Sequence, residues 1–262
     1  MDSLFQSILL GIVQGMSEFL PISSSGHLIL APWLFGFDDP GLSFDVALHA
    51  GTLLAVVAYF WRDWLNIFRI KRDMLEYEDQ PNLLFMLILA TLPGVLAGFL
   101  LEKQAETVFR NPMLVATMLF AFGALLFLAD RISTKSRSFR TIGVIDAFVI
   151  GLSQALAIVP GVSRSGITIT AALFRNIDRE SAARFSFLLS TPIIFGAAAI
   201  HVKDIVGSIS NPIFIAGVAA SAVSGYIAIA SLLRFVSHAS YRVFFWYRAA
   251  VAAVIVILFF VR

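Results

Sequence analysis

Gln14-Gly15-Met16-Ser17-Glu18-Phe19-Leu20-Pro21-Ile22-Ser23-Ser24-Ser25-Gly26-His27 places a polar turn at the end of the apolar stretch Leu4–Leu20. A second turn of this kind, Pro160-Gly161-Val162-Ser163-Arg164-Ser165-Gly166, ends the apolar stretch Ile142–Val159. Behind each turn the apolar sequence resumes only briefly, for about ten residues from Leu28 and over Ile167–Phe174. Eight helical residues reach about 12 Å, less than half of a hydrocarbon core of about 30 Å. Such returns cannot cross a bilayer. Each stretch is expected to dip in, break at its Pro/Gly/Ser turn and leave by the face it entered. Irregular backbone at that depth must be buried in protein or line a wet cavity.

Working outward, the two stretches read as copies. At an offset of 140, Gly11, Gln14, Ser23, Ser25, Gly26 and Ile29 match Gly151, Gln154, Ser163, Ser165, Gly166 and Ile169. Three apolar runs of 17 to 22 residues follow each copy: Phe44–Trp61, Leu83–Leu101 and Met113–Ala129, then Phe185–Val202, Pro212–Leu233 and Val243–Val261. Each suits one crossing. The fold class is therefore all-α, a single polytopic membrane domain over residues 1–262. It has six spanning helices and two re-entrant helical hairpins, with internal repeats over 1–130 and 141–262. Three crossings separate the hairpins, an odd number, so they enter from opposite faces as an inverted-topology repeat. Connectors 62–82, 130–141, 175–184 and 234–242, counted with Arg248, carry 14 Lys and Arg, against four on the other face. The positive-inside rule assigns the basic face to the cytoplasm, and both termini to the outer side. Arg62–Asn82, with Trp64, Leu65, Ile67 and Phe68 among its charges, is expected to form an interfacial amphipathic helix.

Composition agrees. Of 262 residues 59% are hydrophobic and 14% charged, with a mean hydropathy of +0.87, far from soluble domains at about 45–50% and about 25%. A net charge of +2 offers no nucleic-acid surface. The absence of Cys excludes disulfides, thiol chemistry and Cys-based metal sites. The N-terminus does not read as a signal peptide: it has no basic region, and Gln14 and Glu18 interrupt its apolar stretch.

Ionisable groups inside a membrane are functional candidates by default. Within the central portions of the hairpins these are Glu18, His27 and Arg164, and Gln14 lies on the Glu18 face at i, i+4. Serine before a helix is an ordinary N-cap. Two converging helix N-termini, however, aim backbone N–H groups and positive dipole ends at one place. Arg164, with a planar fork suited to phosphate, makes that place an anion site. Ser23, Ser25, Gly26, Ser163, Ser165 and Gly166 would line it. Phosphoryl transfer needs a hydroxyl nucleophile, a base, a cationic clamp and a proton for the leaving group. Ser24, His27, Glu18 and Arg164 supply these. Alternatively, Glu18 with Gln14 could hold a divalent cation, assisted by water and substrate phosphates. A site in the bilayer implies a phosphate or diphosphate on a lipid-soluble carrier. A transporter of such a lipid would want the same anion site, whereas the Ser–His–Arg set favours hydrolysis.

The two turn sequences, in this order and over a chain of this length and hydropathy, resemble the undecaprenyl-diphosphate phosphatase family linked to bacitracin resistance. That resemblance implies hydrolysis of undecaprenyl diphosphate to undecaprenyl phosphate and inorganic phosphate, recycling the lipid carrier of cell-wall glycans in a bacterial cytoplasmic membrane. The implied partners are a lipid-linked diphosphate and membrane lipids, with a homodimer left open. The family's acidic motif falls on Gln14 and Glu18, its nucleophilic serine on Ser24, its histidine on His27 and its phosphate-binding arginine on Arg164. It also implies a divalent cation, Mg or Ca. Gln14 removes one carboxylate from that motif.

Overall fold

The computed structural model describes residues 3–38, 41–68, 83–208 and 210–261, and these are helical almost throughout. The first apolar stretch forms α1 (Ser3–Phe19) and the short return is α2 (Ser24–Phe35). Next come α3 (Leu42–Tyr59), α4 (Trp61–Ile67), α5 (Leu83–Glu106) and α6 (Pro112–Ile132). The second stretch forms α7 (Val144–Gln154), which tightens into a 3₁₀ turn over Ala155–Ile158, and returns as α8 (Arg164–Phe174). The chain ends with α9 (Arg179–Ile200), α10 (Val202–Ser208), α11 (Pro212–Val236) and α12 (Arg242–Val261).

Local chemistry sets these boundaries. Asn111 and Asn211 each cap the following helix through Oδ1, and a proline stands at its first position. Asp178 caps α9 by accepting from the Ser181 N–H, so this helix begins six residues before its apolar run. Among the described residues five helices are long and apolar enough to span a membrane, α5, α6, α9, α11 and α12, and α3 with α4 passes the same test only as a bent pair, a broken sixth span or a re-entrant loop. The break is a 75° bend at Phe60. Of the amphipathic helix expected over Arg62–Asn82, only the part within α4 and Phe68 is described, and 69–82 lie outside the described residues. Large apolar side chains such as Phe99, Phe195, Ile200 and Phe260 lie exposed on the outer helix faces. In water such a surface would drive aggregation, and in lipid it is the solvated face.

The helices interlock across the two halves. α1 lies against α11 and α3, α7 against α5, and α8 against α6 and α9. Without a hydrophobic force between helices in lipid, close approach of small residues drives packing. A Cβ at Gly11 or Gly15 would collide with the α11 backbone at Gly217 or Ser221, and one at Gly151 with the α5 backbone at Ala90.

One basic residue of the last apolar run does not belong with the connectors it was counted with. Arg248, assigned from the sequence to the basic face, is fully buried. Its guanidinium donates to the carbonyls of Pro21, Met118, Leu119, Gly161 and Val162. Its side chain reaches inward from α12 to both polar turns, a contact that helical periodicity alone does not reveal. Without Arg248 the basic face carries 13 Lys and Arg. Several of these are paired with acids: Arg137 and Arg175 with Asp146, Arg179 with Asp130, and Arg184 with Asp63.

Candidate active site

Two serines begin the site. Ser23 and Ser163, equivalent at the offset of 140, precede α2 and α8 with φ of 77° and 73°. Positive φ in a residue with a Cβ costs about 1–3 kcal/mol and survives only where surrounding contacts enforce it. Here the enforcing contacts are caps and cross-links. Ser23 Oγ accepts from the Gly26 N–H at 3.3 Å and Ser163 Oγ from the Gly166 N–H at 3.1 Å. Ser23 Oγ also accepts from the Gly161 N–H at 3.0 Å, while Ser165 Oγ donates to the Leu20 carbonyl at 3.2 Å. The two turns are thus bonded to one another, with Arg248 spanning both. Space for its guanidinium depends partly on Gly166, where a Cβ would stand 3.1 Å from Nη1.

Strain and bonding at the caps fix the first residues of the two short helices. Ser24 opens α2 and Arg164 opens α8, and both retain exposed surface. They meet on one buried carboxylate. Ser24 Oγ donates to Glu18 Oε2 at 2.5 Å, and Arg164 Nη2 donates to Glu18 Oε1 at 2.7 Å. Arg164 Nη1 donates in turn to the Ser186 carbonyl on α9 at 3.0 Å. Gln14, one turn below Glu18, donates from Nε2 to Oε2 at 3.0 Å. The same oxygen faces His49 Nε2 on α3 at 3.4 Å.

The structure therefore brings together Glu18, Ser24 and Arg164, while His27 faces elsewhere. Its Nδ1 meets the Ser23 carbonyl and its Nε2 the Tyr247 hydroxyl, each at 2.8 Å, with the two rings stacked. Of the expected lining residues, Ser23, Gly26, Ser163, Ser165 and Gly166 are buried at the crossing of the turns, and Ser25 keeps exposed surface. Sequence reading gave no site role to His49, Ser186, Tyr247 or Arg248. His49 carried a signal, being an ionisable residue inside an apolar run.

Gln14 and Glu18 do not fit a resident divalent cation. The Gln14 amide turns its N–H toward Glu18, and its Oε1, the atom that would ligate a cation, is buried without a partner. Both Glu18 oxygens are engaged by donors, Oε2 by Gln14 and Ser24 with the His49 ring beside it, and Oε1 by the Arg164 guanidinium. Among the described residues no cluster of three metal-ligating side chains occurs.

The profile of bacitracin resistance protein BacA matches residues 7–254. The chain belongs to the BacA family. A protein from Moorella thermoacetica is 51% identical over 261 residues, covering 99% of both chains, and bears the name undecaprenyl-diphosphatase. Proteins of the same name from Pelotomaculum thermopropionicum and Desulforudis audaxviator are each 48% identical over 258 residues. They cover 98% of this chain, and 97% and 98% of their own lengths. Similarity to BacA relatives thus extends over both turns and all the elements that build the site.

Proposed function

We infer that this chain is a membrane phosphatase that hydrolyses undecaprenyl diphosphate to undecaprenyl phosphate and inorganic phosphate, recycling a lipid carrier for cell-wall synthesis. One observation carries the chemistry: Ser24 and Arg164, from opposed helix N-termini, share the Glu18 carboxylate. Ser24 Oγ gives its proton to Glu18 Oε2 and bonds to the terminal phosphorus. The bridging P–O bond breaks, and undecaprenyl phosphate departs with that oxygen. Water then attacks the phosphoserine, Glu18 returns a proton to Ser24, and phosphate leaves. Arg164, Ser25 and the N-terminal amides of α2 and α8 face the phosphoryl oxygens, where charge develops. The two hydrogen bonds of His27 support a role in holding the Ser23 turn against α12, with Glu18 rather than His27 as base.

The architecture we propose is the inverted repeat with two re-entrant hairpins. Its supports are the equivalent Ser23 and Ser163 geometries and the reciprocal packing of α1 on α11 and α7 on α5. The first hairpin and both termini face outward, and the basic connectors face the cytoplasm. All groups of the reaction come from one chain, so the chemistry requires no dimer. A lipid-phosphate carrier needs no hydroxyl set on a carboxylate, and the names of the relatives are those of a hydrolase.

Purified protein in detergent should release phosphate from undecaprenyl diphosphate, and Ser24→Ala should lower that rate by about 10³-fold or more. Full turnover by Ser24→Ala would remove this serine from the mechanism. Trapping a phosphoenzyme and mapping the phosphate to residue 24 or 27 decides between serine and histidine as nucleophile.

A further inference from the structure

His49 stands on α3, outside both turns, yet its ring is fixed at the reacting carboxylate. Nδ1 lies 2.6 Å from the Asp45 carbonyl one turn earlier, and Nε2 lies 3.4 Å from Glu18 Oε2. Both neighbours are acceptors. A neutral imidazole has one N–H and one lone pair, so in either tautomer one nitrogen would direct its lone pair at an oxygen. Only the imidazolium satisfies both contacts. The carboxylate of Asp45, which could compete for that charge, is paired with Arg110. Of the titratable groups of α9 and α11, Arg184 stands against Asp63, Arg179 against Asp130 and Tyr226 against Tyr59, with Glu180 in the first turn of α9 and Arg234 in the last turn of α11.

The atom His49 meets is Oε2, which also accepts from Ser24, whereas Arg164 holds Oε1. Without His49, the oxygen that must take the serine proton would be held only by neutral donors, and the carboxylate could swing toward the Arg164 fork. One carboxylate between two cations also leaves the cluster net positive, as a diphosphate requires. We propose that His49 is a positioning residue of the phosphatase reaction, an imidazolium that holds Glu18 Oε2 at Ser24. This rests on the hydrolase reading of the same site.

Two arms test it. In detergent with undecaprenyl diphosphate, His49→Leu should lower kcat by about 10²-fold with KM nearly unchanged, because the substrate clamp is intact. His49→Gln, which keeps an N–H for Oε2, should recover about a tenth of wild-type kcat. The second arm needs no turnover. Infrared difference spectra against Glu18→Gln isolate the Glu18 carboxylate band, which should shift in His49→Leu. Should the wild type release no phosphate, the hydrolase reading falls and the infrared arm still decides whether His49 holds Glu18. An unshifted band, or a kcat of His49→Leu within about threefold of wild type, overturns the proposal. So does a loss in KM alone.

Discussion

At the scale of single residues, matching positions of the two turns carry complementary parts. Ser24 and Arg164 each occupy the first position of a short helix behind a strained serine cap, one carrying a hydroxyl and the other a cation. Arg164 uses both of its terminal nitrogens, on Glu18 and on the Ser186 carbonyl, and this forked geometry is what lysine lacks. Arg164→Lys should therefore lower kcat/KM by about 10²–10³-fold, with the thermal midpoint in detergent falling only slightly. A steady-state assay beside a melting curve checks both. Glu18, His27 and Arg164 were visible in the sequence because polar groups in an apolar run are conspicuous. Their division into a Glu18–Ser24–Arg164 cluster and a His27–Tyr247 pair was not, because Tyr247 lies 220 residues from His27.

Element packing shows where small residues are needed. α1 must lie close enough to α11 for Glu18 and Ser24 to be held below the second turn, and Gly11 and Gly15 permit that approach. Gly15→Val would push a branched side chain into Ser221 and Ser224, costing about 1–3 kcal/mol. The expected outcome is a lower melting temperature, with residual activity falling in parallel. Gly98 provides the control, since a Cβ there meets nothing within 4 Å, and Gly98→Ala should melt as wild type. Helix existence and approximate length followed from apolar run length. The partners of each helix did not, because helix faces that are apolar all round carry no periodic mark of which side meets protein and which meets lipid.

Across the whole molecule, Arg248 and the ion pairs of the connector end tie the halves together. Arg248 holds both turns through five carbonyls, so Arg248→Met should lower stability and activity together, by about 3–5 kcal/mol in the former. Asp146 illustrates the ion pairs. Burial raises its carboxyl pKa, but hydrogen bonds from Arg137, the Gly143 N–H and Arg175 outweigh this and lower it from 3.8 to about 2. A carboxyl depressed on folding stabilises fully above its unfolded value, and that contribution is lost as pH falls toward the folded one. Asp146→Asn should thus melt below wild type at pH 7, the gap closing between about pH 4 and pH 2. Orientation is tested on the same scale. Since the chain has no Cys, single cysteines at residues 3 and 136 should label from outside and inside respectively.

The linear chain by itself determined a helical membrane protein, its apolar runs, its two broken stretches and a membrane-embedded anion site, because hydropathy, helix length and turn chemistry are local properties. The phosphatase class came from the resemblance of its two turn motifs to a known family. Only the tertiary structure decided that Arg248 faces inward, that His49 reaches Glu18, and that Gln14 offers its amide nitrogen rather than its oxygen. The first two outcomes depend on which side chains meet across elements far apart in sequence, and the third on which way an amide turns at a carboxylate one helical turn away, in an interior where most buried donors and acceptors find partners within the protein.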